Sequence, residues 1–360
     1  MNNFRQAFFV FLALSIPAGL PAEYLFTVTD LGTLGGTTSS ATGINAWGQV
    51  VGTSTTSYGV SRAFVYWHGV MIDLGTLGGD YSSATAINNV GQIVGVATTS
   101  TGDQHAFLFQ GSTMTDLGTL GGNTSQANAI NDHGQIVGSS TLANGQTRAF
   151  LYDHGAMTNL GALGDGAQSS IASGINNNGE IIGNSDNGPP APFVGNFPFA
   201  FTNGQMSVLS GFESYTADAE YGVTAINNSG QTVGGGRFSS LEEASSGFID
   251  TAGNVTLFGL PQADPSSPGP YAYAYAINDY GMAVGETYSN TYRNGAYQAM
   301  IYYQGLTGDL NVFVNLAGTD FTNLDHAYGI NIAGQIVGSG LTKDGSSHAY
   351  LLTPIPAPSP

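Results

Sequence analysis

The segment Ala84-Thr85-Ala86-Ile87-Asn88-Asn89-Val90-Gly91-Gln92-Ile93-Val94-Gly95 recurs along almost the whole chain of 360 residues. Every copy keeps an Ile-Asn pair, with glycine four and eight residues after the isoleucine. The seven copies have their isoleucines at Ile44, Ile87, Ile130, Ile175, Ile226, Ile277 and Ile330. Successive copies lie 43, 43, 45, 51, 51 and 53 residues apart. This period is typical of a four-stranded propeller blade and is too long for one coil of a β-solenoid.

Each copy predicts the four strands of one blade. Small residues alternate before the isoleucine, as at Ala84 and Ala86, and this pattern indicates a strand packed closely against its neighbours, as the innermost strand of a blade must be. Asn88 to Gly91 has the composition of a tight hairpin turn. The remaining strands of the second unit are predicted at Gln92 to Val96, Ala106 to Phe109 and Met114 to Gly118, and a Thr-Leu-Gly-Gly loop is predicted to lead inward to the next blade.

The two ends of the repeat region predict how the ring closes. Phe26 to Gly32 resembles a fourth strand without its blade, whereas Ala349 to Leu352 is a third strand that lacks its fourth. Pairing the two completes a seventh sheet, and an open array would instead need polar capping repeats. We therefore expect one all-β domain over residues 23–353, a seven-bladed propeller with four antiparallel strands per blade, closed by the N-terminal strand. A β-solenoid is the weaker alternative.

Three motifs connect the chain to a known family. His105-Ala106-Phe107, Asp73 to Gly79 (Asp-Leu-Gly-Thr-Leu-Gly-Gly) and Ile87 to Gln92 resemble the HAF repeat of bacterial extracellular proteins, and the resemblance extends from about Phe26 to Leu352. The name-giving histidine is kept only at His105 and His348. The resemblance implies an exported repeat protein of unassigned function, and it supplies no catalytic residues.

Composition narrows the function classes. The net charge of −18 opposes binding to nucleic acid or anionic lipid, and the absence of cysteine excludes a thiol enzyme or a disulfide scaffold. Residues 1–22, with Arg5 before the apolar run Ala7 to Ile16, predict a cleaved secretory signal, and no other stretch could span a membrane. Residues 354–360 predict a proline-rich disordered tail. We expect a monomer that is secreted or extracellular, with the periplasm or cell surface as alternatives.

Residues that recur in every unit are interpreted as scaffold. The asparagines from Asn45 to Asn331 are expected to satisfy backbone groups of their turns, and Asp30, Asp73 and Asp116 to accept hydrogen bonds from loop amides. His68 and His154 share one turn position with no second histidine or carboxylate at a metal-ligand spacing, so no metal site and no cofactor is assigned, and calcium binding in the acidic loops is left open.

Function is expected where the repeat is broken. From the fourth unit onward, the loops on one face lengthen and gain aromatic and acidic residues, which suit the apolar faces and hydroxyls of sugars but could also simply cover the loops. The leading prediction is non-enzymatic binding of an extracellular glycan or protein through the loops of blades four to six. A glycan-cleaving hydrolase or lyase with carboxylates at the channel mouth is one alternative, and a structural surface protein is another. No catalytic residue is assigned, and the predicted ligand-binding residues are Phe193, Asp218, Glu220, Tyr221, Tyr271, Tyr273, Tyr292 and His326.

The inner strand of the sixth unit gives the most specific prediction. Tyr271, Tyr273 and Tyr275 alternate with alanines, so their rings should share the face that the first two units fill with Ser40/Thr42 and Ser83/Thr85. With Tyr221, His326 and Tyr328 on flanking inner strands, they should narrow the axial channel on the side of the lengthened loops. A buried tyrosine needs a partner for its hydroxyl, so we expect Tyr271 and Tyr273 to be partly exposed and to contact the ligand.

Overall fold

The computed structural model describes residues 25–164, 166–186, 196–212, 221–236, 246–259, 271–289 and 296–356. These residues form seven four-stranded antiparallel sheets, and the sheets are the blades of a ring. The predicted all-β, seven-bladed propeller is therefore confirmed. Within the described ranges, no helix is long and apolar enough to cross a membrane.

The first three blades are nearly identical and follow the chain from the innermost to the outermost strand. Blade one contains β2 (Gly35–Ile44), β3 (Val50–Thr56), β4 (Ser61–Trp67) and β5 (Val70–Asp73). Blade two contains β6 (Gly78–Ile87), β7 (Ile93–Thr99), β8 (Gln104–Gln110) and β9 (Thr113–Asp116). Blade three contains β10 (Gly121–Ile130), β11 (Ile136–Leu142), β12 (Thr147–Asp153) and β13 (Ala156–Asn159).

Blades four to six keep this strand order. Blade four contains β14 (Ser170–Ile175), β15 (Ile181–Asp186), β16 (Asn196–Thr202) and β17 (Gln205–Val208). Blade five contains β18 (Tyr221–Ile226), β19 (Thr232–Gly236), β20 (Ser246–Thr251) and β21 (Asn254–Phe258). Blade six contains β22 (Tyr271–Ile277), β23 (Ala283–Ser289), β24 (Ala296–Tyr303) and β25 (Leu306–Asp309), which a short 3-10 helix (Leu310–Val312) follows.

Blade seven is built from both ends of the described chain. Its inner strands are β26 (Phe321–Ile330), β27 (Ile336–Thr342) and β28 (Ser347–Pro354), and its outer strand is β1 (Phe26–Asp30). The pairing runs from Phe26 opposite Pro354 to Asp30 opposite Tyr350. Phe26 is buried in a core cluster that also contains Phe313 and Val314. Closure by the N-terminal strand is therefore confirmed, and β28 continues to Pro354.

The glycine eight residues after each isoleucine allows the two inner strands of a blade to approach closely. A Cβ on Gly95 would lie 2.0 Å from the carbonyl oxygen of Ser83, and the equivalent distance is between 1.9 and 2.1 Å in all seven blades. The glycine at the fourth position serves the turn, because Gly91 has a φ of 82° and its equivalents are similar. These two backbone requirements explain why both glycines recur in every unit.

One strand boundary differs from the prediction. The two glycines of the Thr-Leu-Gly-Gly segment were expected in a loop, but in blades one to three they begin the inner strand, as Gly78 does in β6. A Cβ on Gly79 would lie 2.3 Å from the Oγ1 atom of Thr98 on β7. The second glycine therefore serves strand contact rather than loop flexibility.

The histidine of the repeat pairs with the aspartate of the adjoining outer strand. His105 Nδ1 lies 2.8 Å from Asp116 Oδ2 in blade two, and His348 Nδ1 lies 2.9 Å from Asp30 Oδ2 in blade seven. Each aspartate also accepts a hydrogen bond from a loop amide, as Asp116 Oδ1 does from Gly118 N at 2.7 Å. The histidine and aspartate of the repeat are thus scaffold, and one of these pairs joins β1 to β28.

Candidate functional site

An arc of seven aromatic rings lies on the inner strands of blades six and seven and on the adjoining strands β23 and β24. Strand β22 begins at Tyr271 and ends at the turn after Ile277, so Tyr271 and Tyr273 lie near the face that carries the lengthened loops. Each ring contacts the next, in the order Tyr271, Tyr288, Tyr297, His326, Tyr328, Tyr275 and Tyr273. We call this set the aromatic arc.

The spacing of the rings shows that the arc is continuous. Consecutive centroids are 6.4, 5.0, 5.2, 5.4, 5.1 and 5.3 Å apart in that order. His326 is stacked between Tyr297 and Tyr328, with interplanar angles of 28° and 14°. Tyr271 and Tyr297 are each 46% exposed, so one end of the arc is open to solvent. The arc can therefore present ring faces to a ligand.

A carboxylate and an imidazole meet inside the arc. Glu286 Oε2 on β23 lies 3.0 Å from His326 Nε2 on β26, and both side chains are largely buried. Tyr275 lies near the same carboxylate, and burial and then the negative charge of Glu286 raise the pKa of its hydroxyl. His326 Nδ1 is buried and has no hydrogen-bond partner among the described residues. This Glu286–His326 pair is the polar centre of the site.

The surroundings keep the tyrosine hydroxyls protonated. Burial raises the pKa of Tyr328 to about 12, and the negative charge of Glu286 adds to the increase. Burial and Glu286 also raise the pKa of Tyr273, and they raise that of Tyr275 well above its usual value. These phenols therefore stay neutral and can donate hydrogen bonds at any physiological pH. Together with the Glu286 carboxylate, the arc offers donors, an acceptor and apolar faces.

A second acidic side chain, Asp325, lies next to His326 on β26. Burial raises the pKa of Asp325, although the side chain of Asn323, which forms a hydrogen bond to it, and the nearby His326 both oppose that rise. Glu286 on β23 contacts the imidazole, and Asp325 on β26 interacts with it electrostatically. A carboxyl group and an imidazole in contact are groups that can exchange a proton with a bound molecule.

Blade five is shaped to receive the ring of Tyr273. A Cβ on Gly222 would lie 2.4 Å from the Tyr273 hydroxyl, and one on Gly235 would lie 2.6 Å from its Cδ2 atom. The hydroxyl also lies 3.5 Å from the carbonyl oxygen of Gly222, as a long hydrogen bond. Two glycines on neighbouring strands thus make room for one ring, so Tyr273 both packs between blades and borders the site.

The structure brings three of the predicted ligand-binding residues together. Tyr271, Tyr273 and His326 all belong to the aromatic arc, with Tyr271 the most exposed of the three. Tyr221 begins β18 opposite Gly236, but its side chain lies outside the described part of the structure. The other four predicted residues also lie outside the described ranges: Phe193, Asp218, Glu220 and Tyr292.

The sequence-based site list missed the carboxylate at the centre. Glu286 is the residue after the second glycine of the repeat in its unit. The equivalent residues of the other units are Thr53, Val96, Ser139, Asn184, Gly235 and Ser339. An acidic residue at a position otherwise small, apolar or amide was a usable signal. Its partner His326 lies on another blade, so the contact between the two side chains can be recognised only from the way the two blades pack together.

The other end of the axial channel holds a cavity that the sequence-based reasoning did not anticipate. Its volume is about 440 Å³, and each blade contributes an isoleucine, the following asparagine and the residue after that. Each of these asparagines donates from Nδ2 to the backbone oxygen of the asparagine in the next blade, as Asn88 does to Asn131 at 3.0 Å. The last of these hydrogen bonds, from Asn331 to Asn45 at 3.0 Å, closes a ring of seven.

The asparagine prediction was thus correct for the turn and incomplete for the ring. Asn88 Oδ1 accepts hydrogen bonds from Val90 N at 3.2 Å and Gln92 N at 2.9 Å, as expected of a turn residue. The hydrogen bond to the next blade was not predicted. Within the described residues, no group of three or more histidine, aspartate or glutamate side chains could hold a metal ion.

Comparison with solved structures identifies the class of fold. The chain is similar to the β-propeller domain of the Trilobed protease from Pyrococcus furiosus, with 10% identity and a TM-score of 0.51 over 91% of this chain and 93% of that one. That domain has an open velcro topology, whereas β1 closes blade seven here. The chain is also similar to a puromycin-hydrolyzing peptidase of Mycobacterium tuberculosis, with 11% identity and a TM-score of 0.54. This match covers 87% of the present chain and 52% of the peptidase chain.

A weaker similarity, with a TM-score of 0.47 and 10% identity, is to the WD40 β-propeller domain of Doa1, covering 90% of this chain and 96% of that one. No protein-family model matches the chain, and no curated protein matches it in sequence. The chain is therefore a seven-bladed β-propeller protein. At these identities the likeness shows the fold alone.

Proposed function

We propose that this protein is an exported, non-enzymatic binding protein that takes an extracellular glycan at the aromatic arc. The observation that carries the proposal is the arc itself, in which partly exposed ring faces surround a carboxylate and several protonated phenols. Sugars have apolar ring faces that stack on aromatic side chains, and hydroxyls that both donate and accept hydrogen bonds. The predicted secretory signal and the resemblance to the HAF repeat support an extracellular location.

The shape of the arc favours a chain-like or branched ligand over a small ion. Tyr271 and Tyr297, at 46% exposure each, could each stack on a sugar ring, while Glu286 accepts a hydroxyl hydrogen from deeper in the site. An extracellular protein that presents an aromatic or hydroxyl-bearing loop is the alternative ligand. A binding test separates these two ligands, because the protein would bind a glycan that is not attached to any other protein.

The experiment starts with a glycan array on the mature protein, followed by calorimetry with each glycan that binds. Tyr271→Ala combined with Tyr297→Ala should reduce affinity at least tenfold, which corresponds to losing roughly 1.4 kcal/mol of stacking. Tyr58→Ala is the matched control, because Tyr58 is 91% exposed in blade one and lies outside the arc. Equal binding by the double variant and by Tyr58→Ala would refute the proposal, as would a protein ligand that binds where no glycan does.

A glycan-cleaving enzyme is the second candidate. The observation that favours it is the Glu286–His326 pair beside Asp325, whose pKa burial raises. A carboxyl with a raised pKa beside an ionised carboxylate is the arrangement that glycosidases use for acid and base roles. If any bound glycan is cleaved on incubation, and Glu286→Gln or Asp325→Asn stops cleavage while retaining binding, the enzyme replaces the binding protein as the conclusion.

A further inference from the structure

The cavity at the end of the channel opposite the aromatic arc contains an incomplete ring of hydrogen bonds. The residue after each asparagine lines this cavity, and in five of the seven blades its backbone N–H donates to the side-chain oxygen of the equivalent residue in the next blade. These bonds run from Ala46 to Asn89, Asn89 to Asp132, Asp132 to Asn177, Asn177 to Asn228 and Asn228 to Asp279, at 2.8 to 2.9 Å.

The ring is broken between blades six, seven and one. The two residues that would accept next are Ile332 and Ala46, and neither side chain has an oxygen. The backbone N–H groups of Asp279 and Ile332 therefore have no hydrogen-bond partner among the described residues, although their five equivalents do. Two hydrogen-bond donors, in the neighbouring blades six and seven, are thus available at the cavity wall, whereas the five equivalent backbone amides are paired.

The charges around the cavity decide which acceptor these donors suit. Asp132 and Asp279 line the cavity, and no lysine or arginine does. Burial alone would raise the pKa of Asp132, but hydrogen bonds from Asn89 and Asn177 lower it overall, so this carboxylate is ionised. An anionic ligand would be repelled by these charges, whereas the hydroxyl oxygen of a neutral molecule would not. The isoleucines of the wall and Ala46 offer apolar contact beside the two donors.

We infer that this cavity is a second binding site, which takes a neutral polyhydroxyl molecule such as a mono- or disaccharide. Two hydroxyl oxygens of the molecule occupy the two gaps, one accepting from Asp279 N–H and the other from Ile332 N–H, each in the place that an asparagine or aspartate oxygen takes in the other blades. The volume of about 440 Å³ lies within the roughly 300–1,000 Å³ of small-molecule sites. This site is independent of the aromatic arc, because it lies at the other ends of the inner strands.

The test follows backbone amides by nitrogen-15 NMR while glucose, galactose, mannose, N-acetylglucosamine, maltose and cellobiose are added singly at millimolar concentrations. At least one sugar should shift the signals of Asp279 and Ile332 in a saturable way. Ile332→Asn combined with Ala46→Asn should fill both gaps, as Asn228 does for Asn177, and weaken that sugar roughly tenfold or more. Ala333→Asn is the control, because it adds the same amide to the same turn outside the cavity lining.

Three outcomes would overturn the inference. The first is that no sugar in the panel shifts the two amides, and the second is that the double variant keeps the same affinity as Ala333→Asn. The third is that inorganic phosphate shifts the two amides as strongly as any sugar does. Tyr271→Ala with Tyr297→Ala should leave these shifts unchanged, so the failure of the glycan proposal at the arc and the failure of this inference are distinguishable.

Discussion

The ring of seven asparagines can be tested by removing one member. Asn88 is almost fully buried, and its side chain makes four hydrogen bonds: Nδ2 donates to Asn131 O and Gln92 Oε1, and Oδ1 accepts from Val90 N and Gln92 N. Asn88→Ala removes all four at about 0.75 kcal/mol each, within the usual net range for a hydrogen bond, and leaves Asn131 O with only the hydrogen bond from Gly134 N. We therefore expect the free energy of unfolding to fall by about 3 kcal/mol.

Two further variants isolate the contact between blades. Asn88→Asp keeps the oxygen that accepts from the turn and loses the donor to Asn131, so it should also destabilise the fold near neutral pH. Protonation of the introduced carboxyl restores a donor, so stability should partly recover on acidification. Asn331→Ala should cost as much as Asn88→Ala, because its hydrogen bond to Asn45 is the same link made between the two ends of the repeat.

The assay is equilibrium unfolding in urea, followed by tyrosine fluorescence and far-ultraviolet circular dichroism. The control is Asn144→Ala, since Asn144 is an exposed turn residue whose side chain bonds only Gln146 in its own loop. We expect that variant to change stability by about 0.5 kcal/mol or less. If Asn88→Ala is no more destabilising than Asn144→Ala, the ring of hydrogen bonds does not hold the blades together and the reasoning is wrong.

Three other changes test the closure of blade seven by β1, the fit of the Tyr273 ring against blade five, and the contribution of the Asp132 carboxylate to stability. Phe26→Ala should lower the free energy of unfolding by about 3–5 kcal/mol because it empties a buried site on β1, whereas Thr29→Ala on the exposed side of that strand should matter little in the same urea titration. Gly235→Ala should cost about 1–3 kcal/mol and weaken glycan binding, because its Cβ would meet the neighbouring tyrosine ring, while Gly259→Ala meets nothing closer than 3.6 Å and should be tolerated. The lowered folded-state pKa of Asp132 stabilises the fold above the usual aspartate pKa of 3.8, so wild type should lose its advantage over Asp132→Asn as pH falls below that value; a pH-independent difference in melting temperature would contradict this.

The repeat sequence was sufficient to predict the fold because its backbone requirements are local. The paired glycines, as at Gly91 and Gly95, and the small residues around Ala84 specify a turn and a close strand pair within one unit. The unpaired strands at Phe26 and Ala349 then predict closure, since only one arrangement completes every sheet. The pattern could not show that Asn88 also donates a hydrogen bond to the next blade. Hydrogen bonds within the turn alone would place an asparagine at the same position of every unit.

The sequence pointed to only some members of the aromatic arc, for a reason that lies in their spacing along the chain. Tyr271 and Tyr273 stand out on one strand, where alternation alone assigns them to the channel face. Glu286 and His326 lie 40 positions apart in the sequence on different blades, and their 3.0 Å contact depends on how those blades are rotated about the axis. The open amides of Asp279 and Ile332 could be recognised only once the five completed bonds of the other blades were known.

The arc replaces a contact that links blades one, two and five to the next blade, and added packing lies near it. In blades one, two and five a threonine on the inner strand donates to the next blade, as Thr42 does to Ala84 O at 2.9 Å. The equivalent positions in blades six and seven are Tyr275 and Tyr328 of the arc.

Between these two blades the chain adds the short 3-10 helix, whose Asn311 donates to Leu324 O at 2.9 Å and accepts from Leu324 N at 2.7 Å. The core cluster that holds Phe26 of the closing strand also lies at this interface. It is enlarged by Leu310, Phe313, Phe321 and Tyr350. The departure from the repeat that creates the site therefore coincides with added packing at the same interface. That coincidence is expected if the inner-strand tyrosines serve binding, because rings placed there for stability alone would need no such reinforcement.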